Sequence, residues 1–543
     1  MTEVKIGRRT VDVQWTLLDR VIAQVSPARG MARWKTRTMM ALGGVGGYDA
    51  GRKERRGTKR WRPADSSANA DTLDDLSDLR GRSRDLVRNV PLATGALATR
   101  VTGVVAGGLT LIASIDHETL GISEAQADAM EREQEKEFAL FWATCDLTRI
   151  QHGDELASLA YRSQSESGDA FVIRRYRERP GEVYGTKLQL LEADRCSNPN
   201  RAADTEVISG GVEHDADGAP VAYYISNKHP GNLRNVILNW ERVEARDDVG
   251  RQLVIHLYDR TRPELSRGAP WIAPVIELIK QLGNYTDAEV HAAVVTSMQT
   301  YFIETSLEEE EKGEPVVGEK DSSLNDNEVK LGVGAVVSLL PGEKVTIPQP
   351  MRPNAQFDPF FLAMTRQIGV ALELPQELLI KHFTASYSAS RAALEMAYQT
   401  FIKERKAHAR RLWQVAYEWM MEEAVAKGRL HRPGFFADPR LRMAYCGAEW
   451  RGSPRPSLNP KQEAEADEID MRNGVKTGEE VCAGRTGGQI EKKISQRGKE
   501  VRLMTEAGIV AAKPAASASP AGGADQDDSD DSEDETTPAR NSA

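Results

Sequence analysis

Apolar residues recur at helical spacing along most of this chain, switch to alternation between Asp169 and Tyr258, and thin out toward both ends. The clearest stretch runs from Phe357 to Leu394. Phe357, Phe360, Phe361, Met364, Ile368, Ala371 and Leu372 return every three or four positions, which predicts a helix from Phe357 to Leu372 with one apolar face. Pro375 has no N–H and disfavours helical backbone at Leu374, so the helix is expected to stop there. Next comes KHFTASYSASRAAL, Lys381 to Leu394, where Thr384, Ser386, Ser388 and Ser390 compete for nearby backbone groups. Ser388 or Ser390 is placed to cap the helix that follows. That helix is expected from Ser390 to about Lys427, with a stripe of Leu394, Ala397, Phe401, His408, Leu412, Val415, Trp419 and Met420. At about 1.5 Å per residue it is more than about 50 Å long. Gly428 and then Arg432-Pro433 end it.

Upstream, Leu73, Leu76, Leu79, Leu86, Val87 and Val90 mark one helix and Leu92 to Val105 another, with Pro91 between them. A strand is expected at Leu109 to Ile115, a helix capped by Ser123 through Trp142, and a helix from Asp154 to Ser165 that ends before Gly168. Phe171 to Ile173, Leu188 to Leu191, Val207-Ile208, Val221 to Ile225 and Leu253 to Leu257 read as short strands between turn signals, an α+β region built on antiparallel pairs. A helical zone from Trp271 to Tyr301, bent at Gly283, precedes a polar insertion from Glu308 to Glu328. Two strands, Val333 to Leu339 and Val345 to Ile347, follow around Pro341-Gly342. A small β-containing module therefore lies between two helices. After the long helix, one more is expected at Lys461 to Arg472, beyond Pro460.

Charge sharpens this picture at the ends. The 543 residues are 28% charged with a net charge of −10, but the first 62 carry 15 Lys and Arg against 5 Asp and Glu. Residues 511 to 543 carry 2 against 8. A basic flexible arm (1–70) and a disordered acidic tail (511–543) are expected. Cys145, Cys196, Cys446 and Cys482 are far apart with no Cys-x-x-Cys, which argues against zinc and a disulfide scaffold and for a reducing compartment. The most apolar run, Val101 to Ile115, is too short and too rich in glycine to span a bilayer, and Val11 to Val25 carries too many charges for a signal peptide. A soluble intracellular protein with no membrane partner is expected.

No catalytic constellation emerges. Gly46 to Lys53 has the spacing of a phosphate loop only in part, with Arg52 and Lys53 where Lys and Ser/Thr belong and no strand before it. His117-Glu118 has no second histidine at metal spacing, and the 9 histidines are scattered. Asp194 reads as a turn cap with Arg195 because no second acid or base lies near it in sequence. No enzyme activity, no cofactor and no metal are expected.

Taken together, Leu79 to Asn89 (LRGRSRDLVRN), Gly211 to Ile225 (GVEHDADGAPVAYYI), Ile255-His256, Arg267 to Pro274 (RGAPWIAP), Asp358 to Leu379, Tyr387 to Leu394 (YSASRAAL), Trp450-Arg451-Gly452 and Asn459 to Ala466 (NPKQEAEA) resemble the bacteriophage portal proteins of the lambda family. The resemblance covers about residues 72 to 500, in order, and leaves out the arm and the tail. It implies an α+β portal fold that forms a dodecameric ring at one capsid vertex of the virion, assembled in the host cytoplasm, with double-stranded DNA passing through. The implied parts are a wing (71–268), stem helices (269–304 and 355–380), a clip (305–354), a tunnel loop (381–390), a spine helix (391–430) and a crown region (431–510). Implied partners are the terminase large subunit, head-completion or adaptor proteins and the major capsid protein.

A channel lined with many Lys and Arg would clamp phosphates and oppose sliding, whereas hydroxyls give weak contact without sequence preference. On that basis Lys381, Thr384, Ser386, Tyr387 and Ser388 are expected to face DNA, with packing at the helix start the competing role for Tyr387. Arg391 is expected to pair with a neighbouring subunit's carboxylate. Lys403, Arg405, Lys406, Arg410 and Arg411 are expected on a solvated or subunit-pairing face in preference to a DNA-binding one. Two other classes stay open at this point: a nucleic-acid-processing enzyme that docks DNA through its basic arm, and a capsid scaffold or adaptor without a channel.

Overall fold

The computed structural model describes residues 3–6, 9–12, 17–43, 60–232, 237–297, 301–303, 336–338, 356–383, 386–455, 457 and 459–509. The chain divides into two compact units, Met1–Asp71 and Thr72–Ala543. In the first, β1 (Glu3–Ile6) pairs antiparallel with β2 (Arg9–Asp12), and α1 (Leu17–Val25) is followed by α2 (Pro27–Gly43). Val11 and Asp12 belong to the hairpin, so the helical part of the Val11 to Val25 run starts at Leu17. The two helices pack closely at Gly30, where a Cβ would lie 2.6 Å from that of Ala23. Arg52 to Lys59 lie outside the described residues. α3 (Ala68–Thr72) closes the unit in sequence.

The second unit begins with α4 (Leu76–Asn89) and α5 (Pro91–Val104), separated by extended backbone at Val90 as Pro91 requires. After β3 (Thr110–Ala113) and the single turn α6 (His117–Leu120), α7 (Glu124–Trp142) opens on a capping box of Ser123 and Gln126. α8 (Gly153–Ser167) stops at Gly168, whose φ of 92° suits glycine. There the backbones of Gly168 and Gly268 meet so closely that a Cβ on either would collide with the other's carbonyl, at 2.1 and 2.2 Å.

β4 (Asp169–Tyr176) then lies between β10 (Val254–Tyr258) and β5 (Thr186–Glu192) in a three-stranded antiparallel sheet, the latter two strands being named here by their place in that sheet. Its alternation serves two cores. Ala170 and Val172 join the main core with α5, α7 and α8, while Phe171 and Ile173 face a second core with Tyr223, Ile225 and Val243. The second core belongs to a four-stranded antiparallel sheet of β6 (Ile208–Ser209), β7 (Val212–His214), β8 (Pro220–Ser226) and β9 (Trp240–Glu244). Val212–His214 and Trp240–Glu244 were not expected as strands, since Glu213, His214, Glu241, Arg242 and Glu244 leave little apolar signal.

α9 (Ile276–Ser297) follows a turn of 3₁₀ helix at Ala273–Val275. It ends before Tyr301, which belongs instead to β11 (Tyr301–Ile303), paired in parallel with β12 (Val336–Ser338). The other residues between 304 and 355, including most of the expected module, lie outside the described set. α10 (Phe357–Ala371) and a short α11 (Gln376–Ile380) lead to α12 (Tyr387–His408), a π-helical turn at Ala409–Trp413, and α13 (Gln414–Ala426). Together the last three make the long helix expected from the stripe, and Ala397, Phe401, His408, Leu412, Trp419 and Met420 are buried as that stripe requires. It starts three residues earlier than expected.

After α14 (Pro439–Tyr445), β13 (Ala448–Arg451) returns to pair antiparallel with β3, Trp450 opposite Leu111, which ties the late chain to the early chain. α15 (Pro460–Arg472), α16 (Gly478–Thr486) and α17 (Ile490–Glu506) complete the described chain; the last two were not expected individually, and neither buries a residue, α17 leaving Ile494, Val501 and Leu503 exposed. Cys145, Cys196 and Cys446 are buried free thiols and Cys482 is a half-buried one. Among the described residues, no helix is long and apolar enough to cross a membrane.

Candidate functional site

The hydroxyl-rich loop is positioned by a tight reversal after α10. Gly369 accepts the returning chain: Leu374 N–H donates to Gly369 C=O at 2.9 Å, and a Cβ on Gly369 would sit 2.5 Å from the Leu374 oxygen. Glu373 makes the turn with φ of 53°. Pro375 caps α11, and buried Ile368, Leu372, Leu374 and Leu379 fix this small helix to the core. Lys381 ends α11 in the left-handed region, φ 54°, an uncommon conformation for a lysine.

From there Lys381, His382 and Phe383 are exposed. Thr384 lies outside the described residues, and Tyr387 is described only as the first residue of α12. Ser386, in extended conformation, is the cap residue, which corrects the expectation for Ser388 or Ser390. Its hydroxyl makes no bond to the helix end and lies 3.2 Å from that of Ser388. Ser388 and Ser390 fall in the first turn of the helix, so the loop is shorter than 381–390. It presents uncharged hydroxyls to solvent beside the single ammonium of Lys381.

The helix behind the loop is held rigidly. Gly103 of α5 allows the Phe401 ring to rest on bare backbone. One turn on, the buried Arg100 guanidinium donates to both oxygens of Glu404, at 3.1 and 2.9 Å, and stacks over Trp271 at 4.6 Å. Tyr161 O–H donates to the same carboxylate. Burial, together with the Glu404 carboxylate, pushes the Tyr161 phenol well above its ordinary range. Arg405 donates to Val104 C=O (2.8 Å), Gly103 C=O (2.9 Å) and Ser453 C=O (3.1 Å).

The four residues expected at subunit contacts are thus divided. Arg405 is engaged within its own chain, and Arg391 is half-buried 4.0 Å from Glu395. Lys403 and Arg410 are exposed. Arg411 donates to Tyr258 C=O at 2.6 Å. At the π-helical turn, His408 Nε2 lies 3.3 Å from Ala157 C=O while its Nδ1 has no partner, and burial lowers its pKa to about 4.

The most strongly coupled charges lie elsewhere, and the sequence did not mark them. Asp169, fully buried, accepts from Arg80 (2.9 Å) and Arg267 (3.1 Å, with a second shorter bond), and His256 Nε2 sits 3.2 Å away. These cations overcome burial and hold the carboxyl well below its usual range. Arg267 also donates to Ala193, Cys196 and Gly210 carbonyls, so one guanidinium joins both sheets. Every donor on it faces protein, a structural arrangement with no room for a substrate. Asp194 pairs with Arg84, which corrects its reading as a turn cap with Arg195. The RGAP run at Arg267 to Pro270 carries no local sign of the network, because Asp169 is 98 residues upstream and Arg80 lies further upstream still. Among the described residues no group of three or more His, Cys, Asp or Glu has the arrangement of a metal site.

The described residues combine helices and sheets with a buried Arg–Asp network and an exposed hydroxyl loop. The family model described as "Phage portal protein, lambda family" matches residues 54–405, about two thirds of the chain, and the chain belongs to that family, whose members are components of the bacteriophage virion at the head–tail connection. Portal protein B of Escherichia phage lambda is 25% identical over 507 residues, covering 89% of this chain and 94% of the relative. The portal protein of Escherichia phage N15 is 25% identical over 503 residues, covering 88% and 93%. A probable portal protein of Halomonas phage phiHAP-1 is 26% identical over 368 residues, covering 64% and 65%. A chain in the neck of a native gene transfer agent particle is 14% identical with a TM-score of 0.39, covering 75% of this chain and 92% of that one.

Proposed function

We propose that this chain forms a dodecameric ring at one capsid vertex, and that the ring is the channel for double-stranded DNA during packaging and ejection. In this reading the sheets of 71–268 form the wing, α9 and α10 the stem, the segment 305–354 the clip, and α12 to α13 the spine toward a crown at 431–510. The clip docks the terminase large subunit and later the head-completion or adaptor proteins, while the outer surface meets the major capsid protein. Lys381, Thr384, Ser386, Tyr387 and Ser388 face DNA; Lys403 and Arg410, with Arg391, meet the neighbouring subunit.

One observation supports the channel reading most: an exposed, nearly uncharged hydroxyl loop stands at the end of a helix clamped through Gly103, Arg100 and Arg405. A rigid mount with a weakly binding tip touches a moving polyanion without holding it. The protein is structural in this reading, with no catalytic step. Negative-stain electron microscopy of the purified particle tests it. Rings with a central hole are expected; monomers or solid aggregates at all concentrations would overturn the proposal, and ATPase or nuclease activity would favour the enzyme reading.

A further inference from the structure

The first 62 residues carry a surplus of ten positive charges in a chain of net −10, so the remainder carries −20. Between Arg20 and Asp49 there is no acidic residue, and α2 holds Arg29, Arg33, Lys35 and Arg37 without one carboxylate in its 17 residues. Arg29, Arg33 and Arg37 stand four apart along it, a spacing at which like charges repel. Here packing on α1 runs through small residues, Gly30 on Ala23, and Arg29 and Arg33 are exposed. In the same unit, Arg60-Trp61-Arg62 is exposed throughout, and the Trp61 indole is 67% exposed. An indole between two guanidinium groups combines a stacking face with phosphate ligands.

We propose that the unit Met1–Asp71 is a DNA-binding module, in which Arg29, Arg33, Arg60 and Arg62 neutralise backbone phosphates and Trp61 stacks on exposed base or sugar faces. The module grips where the loop slides, and it stands whether or not the chain forms a ring. Trp61 is what favours nucleic acid over an acidic protein segment. The chain's own tail, residues 511–543, offers carboxylates but no aromatic or planar surface for an indole. Duplex and single-stranded DNA share the phosphates, but only the single strand offers base faces along its length.

The experiment is fluorescence anisotropy on the full-length particle with random-sequence duplex and single-stranded DNA over a range of salt, with ring formation read separately by microscopy. The variant R29A/R33A/R60A/R62A is expected to bind both forms at least tenfold more weakly, with the slope of log K against log salt shallower by about 3 on duplex. W61A is expected to weaken single-strand binding about fivefold or more and duplex binding far less. R29K/R33K/R60K/R62K, which keeps the charges, controls for folding and is expected to bind within a few fold of the parent. Unchanged affinity and slope in the alanine variant would overturn the proposal. So would a parent protein that ignores DNA but binds the tail peptide or anionic vesicles.

Discussion

The Phe401 ring lies directly on the backbone of Gly103, where a Cβ would approach its Cδ2 to 2.5 Å. This contact sets the distance between α5 and the helix that carries the hydroxyl loop. Gly103→Ala is expected to destabilise the fold by about 1–3 kcal/mol through overpacking, read by denaturant or thermal unfolding. Combining it with Phe401→Leu should recover part of the loss. Strict additivity in that cycle would show that the two residues do not share this contact.

Beside it, Arg100 and Glu404 form a forked pair with Tyr161 as a third member. Glu404→Gln leaves Arg100 buried with only the more distant Asp259 at 3.7 Å. A loss of about 2–4 kcal/mol is expected, since breaking a buried pair strands a charge. Arg100→Met together with Glu404→Leu should cost less than Glu404→Gln alone. Chemical denaturation of all three variants decides the order.

How much of this was legible follows from range. The stripe from Leu394 to Met420, the break at Pro375 and the cap at Ser123 are encoded within one or two turns, and the structure follows them closely. β13 is different: its pairing of Trp450 with Leu111 joins positions far apart in sequence, and AEWR alone has no strand signal. The clamp on α12 was hidden for the same reason. Arg100, Arg405 and Glu404 each look like ordinary surface charges until α5 and α12 are brought together. In the candidate loop the hydroxyls could be read, but not the left-handed Lys381 or the turn that Gly369 makes possible.

Two buried histidines make stability depend on pH. His256 and His408 both have pKa values lowered to about 4, with burial the main cause; in His256 it outweighs the nearby Asp169. Their unfolded values lie near 6.5. Both contributions are therefore complete above about pH 6.5 and decline as pH falls toward 4, because the unfolded chain binds protons that the folded one excludes. Each histidine alone contributes a slope of up to about 1.4 kcal/mol per pH unit in that window. His408→Gln should flatten the curve of unfolding free energy against pH between 6.5 and 4. A slope unchanged by that substitution would remove His408 from the account.

The loop itself can be tested without disturbing the helix behind it. The Ser386 hydroxyl makes no capping bond to α12 and lies 3.2 Å from that of Ser388, and both residues are exposed. Replacing both with lysine should therefore leave folding and assembly intact, while every subunit gains two cations at the proposed DNA-facing tip. If weak contact is what permits passage, the added charges should slow packaging, and the defect should ease as salt rises, because phosphate contacts are screened and exchanged for counterions. Deleting Thr384 to Ser388 tests the opposite limit, with rings still forming but heads packaging or retaining less DNA. Measured in the same packaging assay, normal filling by both variants at low salt would show that DNA does not pass this loop.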